Sequence, residues 1–393
     1  MVWVSGRNVV PPEALSSGRL RIFFADGLRH RQLTGYGALA RNLALGLAGR
    51  GHDVHLRASE RPWGPIEQGA RARLEALPHD DGQGRELADL VLQVRTPPSC
   101  GPYTRPTLIY TQNALGGLPP EWIAALSAAD GIAVPSEFDR AVFARHFPRV
   151  YVAGQSADAA VFKPRAEERT GAAEAFNFLY VGSYSFRKGI DLLLRAFLEE
   201  FSAAEPVGLW LQCPGAGRSD EFNHCLRTIQ QLNPQGRVRL DAGERSPEWM
   251  SRLYNRSDCV VTCSRGEGWC MPLTEALLCE VPVIAPRSTG MAEYLDDSIA
   301  ELVSTTELPA ACASTPFAGT FAKVYDHPGI TYYEPSIAET RSSMRRVYED
   351  RPAAGAKARA GRQRILSDFS WERALDSLEQ ACLSLVADTA AAA

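Results

Sequence analysis

The chain has 393 residues, of which 45% are hydrophobic and 22% charged, and its formal net charge is −4. That length exceeds one ordinary core and points to two domains, while the near-neutral balance gives no general attraction to nucleic acid or anionic lipid. No stretch approaches the roughly 18 to 20 uninterrupted apolar residues of a membrane span, and residues 1–18 lack the apolar run of a signal peptide. The nine cysteines show no metal-ligand spacing. They imply a reducing compartment and a cytoplasmic protein, compatible with a peripheral position at a membrane.

In chain order, Leu20–Ala25 reads as a first strand, followed by a loop of glycines and basic residues over 26–37. Leu39, Leu43 and Leu47 recur at i, i+4, i+8 and give the next segment, 36–50, one buried helical stripe. Gly49-Arg50-Gly51 stops that helix, and 52–56 is a short strand. Leu90–Val94, Thr107–Tyr110 and Gly131–Val134 continue the alternation, which predicts a parallel, doubly wound sheet. A polar, alanine-rich stretch after Phe162-Lys163-Pro164-Arg165 reads as a linker, so the first domain is placed at 1–165.

Alternation restarts with strands at 176–181, 208–212, 238–240, 258–263 and 281–285, giving a second domain at 166–368. The turn-rich residues 299–335 read as an irregular insertion. Helices follow at 336–349 and 353–368, and residues 369–393 form a last amphipathic helix expected to return to the first domain. The cations between Arg341 and Arg364 are interleaved with acids at helical spacing, which reads as a solvated face. The fold class expected is therefore α/β, with two Rossmann-like doubly wound domains facing a cleft.

Glu267 and Glu275 stand eight positions apart across a strand-to-helix turn. Pro272 suits a first helical position, so a ring of free amides is expected around Cys270, Met271, Leu273 and Thr274, at the positive end of a helix dipole. An anion pocket with a carboxylate on each side fits a ligand with hydroxyls flanking its phosphates, such as a nucleotide-sugar. The companion segment is Gly182-Ser183-Tyr184-Ser185-Phe186-Arg187-Lys188-Gly189, where Arg187 and Lys188 close a strand end and suit a diphosphate.

In the first half, Thr34-Gly35-Tyr36-Gly37 opens a helix with glycines that permit close approach of a ligand or simply make a tight turn. Gln112 and Asn113 either hydrogen-bond sugar hydroxyls or cap a turn. Ser136-Glu137 reads first as a helix N-cap, and Asp158 as structural.

Together these segments resemble the retaining glycosyltransferases of family 4, which have the two-domain GT-B architecture. The resemblance runs through Val134-Pro135-Ser136-Glu137-Phe138, Phe162-Lys163-Pro164, Val181-Gly182, Arg187-Lys188-Gly189, Glu267 to Glu275, Pro282-Val283-Ile284-Ala285 and Gly290 to Glu293. It implies that Glu267 contacts the donor sugar and Glu275 the ribose. It also implies that the amides of Gly268, Trp269 and Cys270 meet sugar and phosphates, and that Lys188 with Arg187 neutralises the leaving diphosphate.

Three positions depart from the family pattern: Ser183 stands where an arginine is common, Gln112-Asn113 where many members have a histidine, and Cys270 where a glycine is usual. The resemblance implies transfer of a sugar from a nucleoside-diphosphate sugar to an acceptor hydroxyl of a glycan, a lipid-linked intermediate or a small metabolite. No Asp-x-Asp triplet occurs in the sequence, so catalysis is expected to need neither metal nor cofactor. A nucleotide-sugar epimerase of the same architecture and a catalytically silent nucleotide-sugar binder remain as alternatives. A dehydrogenase is disfavoured because no Gly-x-Gly-x-x-Gly follows the first strand.

Overall fold

The structure is a computed structural model that describes residues 18–25, 35–58, 66–80, 84–97, 105–169, 175–214, 227, 236–313 and 324–391. Residues 1–17, the expected loop 26–34 with Thr34, Cys100, Cys225 and the expected linker residues 170–174 lie outside them.

The described residues fall into two compact units, one formed by residues up to 112 with 120–155 and 371–393, the other by 113–119 and 156–370. The first unit holds a seven-stranded sheet of β1 (Arg21–Phe24), β2 (Asp53–Arg57), β3 (His79–Asp80), β4 (Leu90–Val94), β5 (Thr107–Tyr110), β6 (Gly131–Val134) and β7 (Val150–Val152). Its order is β3-β2-β1-β4-β5-β6-β7, and the pairs are parallel, with Ile22 beside both Val54 and Leu90. Parallel strands covered by helices are buried on both faces, which is why β4, β5 and β6 are buried throughout and mostly apolar, with Gln93 and Thr107 as buried polar exceptions.

The leucine stripe of the helix Gly35–Gly49 enters this core, and so do Leu378 and Leu385 of the last helix, Trp371–Ala391. Gly46 is the contact point: a Cβ there would stand 2.4 Å from a Leu375 methyl. Glu379 of the same helix accepts from Arg50 at 2.5 Å and faces His52 Nε2 at 3.0 Å.

The second unit repeats the plan. Strands β8 (Phe176–Val181), β9 (Val207–Gln212), β10 (Val238–Asp241), β11 (Cys259–Val261), β12 (Val283–Pro286) and β13 (Glu301–Val303) order as β10-β9-β8-β11-β12-β13, again parallel. Both sheets thus show the 3-2-1-4-5-6 winding of dinucleotide-binding folds, with the chain reversing its direction of growth between the first and fourth strands.

The chain passes between units at Gln155–Ser156, ahead of the 165/166 boundary read from composition. Residues just after the crossing already pack on the second unit: Phe162 meets the Tyr254 ring at 6.0 Å, and Asn255 bonds the Lys163 carbonyl and the Arg165 amide. A second difference concerns residues 299–335, expected to be irregular. They contain β13 and an antiparallel pair, β14 (Thr305–Pro309) with β15 (Thr331–Pro335). Thr305 and Thr306 of one strand and Thr331, Tyr332 and Tyr333 of the other suit a pleated ribbon, but partners such as Thr305 and Pro335 lie 30 positions apart, too far for a hairpin signal.

The cations of the 341–364 region lie on a partly exposed face and are paired there, with the Arg346 side chain 57% exposed. Arg341 and Arg345 reach Glu199, Glu200 and Glu205; Arg346 and Lys357 share Glu301; and Arg364 meets Asp296.

Candidate functional site

In the second sheet, β8 and β11 are neighbours and the winding reverses between them. Open parallel sheets bind ligands at the carboxyl ends of strands at this point, because the connecting loops diverge there and leave backbone groups exposed. The two segments singled out from the sequence emerge at these two strand ends.

After β8, Gly182 N–H donates to the Gln212 carbonyl at 3.1 Å, and the buried Tyr180 hydroxyl donates to the carbonyl of the exposed Ser183 at 3.0 Å. A short 3-10 turn, Phe186–Lys188, then presents both cations. Gly189 ends it in the left-handed region at φ 63°, where a Cβ would lie 1.8 Å from the Cys263 carbonyl oxygen. Only glycine fits, since both the dihedral and the backbone approach exclude a side chain.

Glu267 is 6% exposed and accepts from Lys188 Nζ at 2.6 Å and Arg187 Nη1 at 3.1 Å; Arg187 also donates to the Gly266 carbonyl at 2.7 Å. Burial alone raises a carboxyl, but the Lys188 and Arg187 charges outweigh it and hold Glu267 down at about 2. The three sequence-derived catalytic candidates therefore form one ion cluster.

Arg265 escaped the sequence reading. It is 2% exposed, makes a fork of two 2.8 Å bonds to Asp191, pairs with Glu334 of β15, donates to the Phe186 carbonyl at 2.6 Å, and stacks over the Phe186 ring at 3.9 Å. Its own amide donates to the Arg187 carbonyl at 2.7 Å. Arg265 thus clamps the turn that carries both cations to the ribbon and to the helix Ile190–Glu200. Its carboxylate partners are 74 and 69 residues away, so no local spacing marks it.

The loop from Glu267 to Cys270 is fixed from the side. Glu267 N–H donates to Thr289 Oγ1 at 3.2 Å, Gly290 N–H donates to the Glu267 carbonyl at 2.9 Å, and a Cβ on Gly290 would sit 1.8 Å from the Gly268 oxygen. The Trp269 ring is core, 4.8 Å from Tyr294 and 5.9 Å from Phe369, and Tyr294 donates to the carbonyls of Trp269 and Cys270. Only the backbone of Trp269 remains to face a ligand.

Cys270 is the N-cap at φ 80°, a left-handed conformation that favours the glycine usual at this position. Burial and then Glu267 push its thiol up to about 12. The helix begins at Met271, so Pro272 is its second residue and not its first, and Leu273 N–H is taken by the Cys270 carbonyl at 3.1 Å. The expected ring of free amides is correspondingly narrower. Met271 is half-buried and Leu273 is buried in the core.

Glu275, one turn inside this helix, is half-buried and accepts from the Tyr254 hydroxyl at 2.6 Å. Burial pushes its carboxyl up to about 7, with the Tyr254 hydrogen bond acting in the opposite direction. The two glutamates of one motif thus hold opposite electrostatic characters.

In the first unit, Gly35 opens its helix and Gly37 is buried; the Tyr36 hydroxyl lies 3.4 Å from Thr111 Oγ1 and accepts from Gln112 N–H at 3.3 Å. Gln112 Oε1 accepts from Gln155 at 3.2 Å. Thr111 and Gln112 follow β5 and Gln155 follows β7, so these contacts lie at the carboxyl side of the first sheet. Asn113 belongs to the second unit, where its buried amide donates to the carbonyls of Leu115 and Gly117 at 2.6 and 3.0 Å and shapes that turn. Ser136 caps the helix Glu137–Phe143 by accepting from Asp139 N–H at 3.2 Å, and Asp158 accepts from Ala160 N–H at 2.8 Å. Among the described residues no helix is long and apolar enough to cross a membrane, and no group of three or more His, Cys, Asp or Glu is placed to hold a metal ion.

The family model described as glycosyl transferases group 1 matches residues 162–314, the stretch that contains Arg187, Lys188, Glu267 and Glu275. The match to the glycosyl transferases group 1 family is therefore to the second unit's sheet and its candidate site residues. The glycosyl transferases group 1 segment also covers β8 to β14, so the family match and the ion cluster coincide. A lipopolysaccharide 1,2-N-acetylglucosaminetransferase of Salmonella typhimurium is 29% identical over 178 residues, 43% of this chain and 47% of that protein. The chain spans about half the length of the curated relatives it matches.

Among solved structures, a sucrose-phosphate synthase of Thermosynechococcus elongatus superposes with a TM-score of 0.69 at 18% identity, covering 93% of this chain and 99% of that one. Anabaena HepE, solved in complex with UDP and glucose, superposes with a TM-score of 0.67 at 15% identity, covering 92% and 99%. At these identities the likeness shows the fold, which is the two-sheet GT-B fold of glycosyltransferases.

Proposed function

We propose that this chain is a retaining, metal-independent and cofactor-independent glycosyltransferase that moves a sugar from a nucleoside-diphosphate sugar to an acceptor hydroxyl. The acceptor is a glycan, a lipid-linked intermediate or a small metabolite, and the protein works in the cytoplasm. The single observation that carries this reading is the Glu267, Lys188 and Arg187 cluster at the carboxyl ends of β8 and β11, inside the segment that matches the family. Similarity to a lipopolysaccharide sugar transferase supports it, as does the fold shared with a protein solved with UDP and glucose.

In the ligand-free protein both cations are bound to Glu267. An incoming diphosphate competes for Lys188 and Arg187, and the exchange frees Glu267 to accept from a donor-sugar hydroxyl. As the bond from the anomeric carbon to the phosphate oxygen breaks, its electron pair moves to the diphosphate, where the two cations and the amides at Met271 stabilise it. The acceptor oxygen bonds to the anomeric carbon from the same side, and its proton passes to a phosphate oxygen. Glu275 accepts from the ribose hydroxyls, while Tyr36 and Gln112 are assigned to the acceptor side.

A panel of UDP-, GDP- and ADP-sugars with added acceptor tests the reading. Lys188→Ala is expected to lower turnover by about 10²- to 10³-fold with an unchanged circular dichroism spectrum, and chelator is expected to have little effect. Unchanged activity of Lys188→Ala and Arg187→Ala would refute the site, and loss of activity in chelator would refute the metal-free mechanism. Donor conversion to an epimer without acceptor would replace the transferase with an isomerase.

A further inference from the structure

The Tyr254 hydroxyl, outside the motif itself, donates to one oxygen of Glu275 at 2.6 Å. Tyr254 ends the helix Pro247–Asn255, is 0% exposed, and is held edge-on against Phe162 at 6.0 Å, so its hydroxyl has one direction in which to point. The neighbouring Asn255 ties the same helix end to the carbonyl of Lys163 and the amide of Arg165. Glu275, by contrast, is half-buried on the helix Met271–Leu278, and among the described residues Tyr254 is its side-chain hydrogen-bond partner. Among the described residues no cation pairs with it, unlike Glu267, which has two.

A carboxylate in low dielectric with one oxygen bonded to a neutral donor and no counter-charge is costly, and it is stabilised only when further donors arrive. We propose that Tyr254 is a positioning residue for donor binding: it fixes one oxygen of Glu275 so that the other meets the ribose hydroxyls, and so sets the ribose selectivity of the site. This rests on the assignment of Glu275 to the ribose. Tyr254 touches no substrate and acts through Glu275.

The assignment has a pH consequence. Ribose hydroxyls donate to the carboxylate, so affinity falls as Glu275 protonates. Burial raises the Glu275 carboxyl and the Tyr254 bond opposes that rise. Removing the hydroxyl therefore moves the loss of affinity to higher pH. Among the described residues the other groups that act on the pair are Cys279 and Cys270, at the two ends of the Glu275 helix, and both are buried thiols.

The experiment measures binding of UDP, GDP and ADP, each beside its 2′,3′-dideoxy counterpart, by calorimetry from pH 5.5 to 8.5 on the full chain. The dideoxy compounds carry the same diphosphate, so its own titration cancels in the ratio. Wild-type protein is expected to prefer the ribose form of its nucleotide by about tenfold or more, a preference that fades below neutral pH. Tyr254→Phe is expected to reduce the preference to about threefold or less at pH 7 while leaving dideoxy affinity and the thermal transition unchanged, and to recover part of it at pH 8.5.

In Tyr254→Phe/Glu275→Gln the second change should add nothing to the loss in Glu275→Gln alone. A wild-type preference retained in full by Tyr254→Phe, with the same pH profile, overturns the proposal. A wild-type protein that binds diphosphates through Lys188 yet ignores the ribose overturns the Glu275 assignment itself, and the proposal with it.

Discussion

Replacing Arg265 by Met removes a cation that three structural elements share while keeping the aliphatic volume of the stem. Arg265 is 2% exposed, and its carboxylate partners Asp191 and Glu334 are 22% and 31% exposed. Breaking a buried pair from one side costs about 3 to 5 kcal/mol, because the remaining charge loses its partner without regaining full hydration. The partial exposure of both carboxylates places this case at the lower end, about 3 kcal/mol, with the bond to the Phe186 carbonyl and the stack on its ring included.

For a unit of this size that corresponds to a fall in Tm of about 6 to 12 °C. Urea-dependent hydrogen exchange of peptides over 186–193 and 331–335 reads the unit that is perturbed, which avoids treating a two-unit chain as two-state. Arg265→Lys is expected to recover little, since an ammonium cannot reproduce the fork to Asp191. A loss below about 1 kcal/mol, or full rescue by Lys, would refute the clamp and show the cluster to be ordinary surface pairing.

Gly189→Ala is expected to cost more than about 2 kcal/mol and to abolish turnover, as its Cβ meets the Cys263 oxygen in a left-handed residue; thermal unfolding and activity read both effects. Cys270→Gly should be more stable than Cys270→Ala by about 1 kcal/mol in the same assay, reversing the usual helix preference, because position 270 has φ 80°. The Glu275 carboxyl is raised from 4.5 to about 7, so the ligand-free protein loses stability as pH rises through that interval, by up to about 3 kcal/mol. Glu275→Gln should remove this slope between pH 5 and 8, and an unchanged slope would place the burden on another group.

The alternation of strand and helix, and the strand-end position of the Glu267 and Arg187-Lys188 segments, were legible in the sequence because they follow from local pattern: apolar runs of strand length, a proline near a helix start, glycine after a cationic turn. Local pattern also marked Ser136, which caps its helix by accepting the Asp139 amide. Tertiary structure decided what spacing cannot encode. Arg265 meets partners about 70 residues away, and Thr305 pairs with Pro335 across a long connection.

Glu267 and Glu275 are the same residue type in one motif, and their sequence gives them no difference in charge state. Their surroundings separate them, one carboxyl held near 2 by two cations and the other raised near 7 by burial beside a neutral tyrosine. Coulomb attraction and desolvation depend on distance through space and on exclusion of water. Both quantities exist only once the chain has folded.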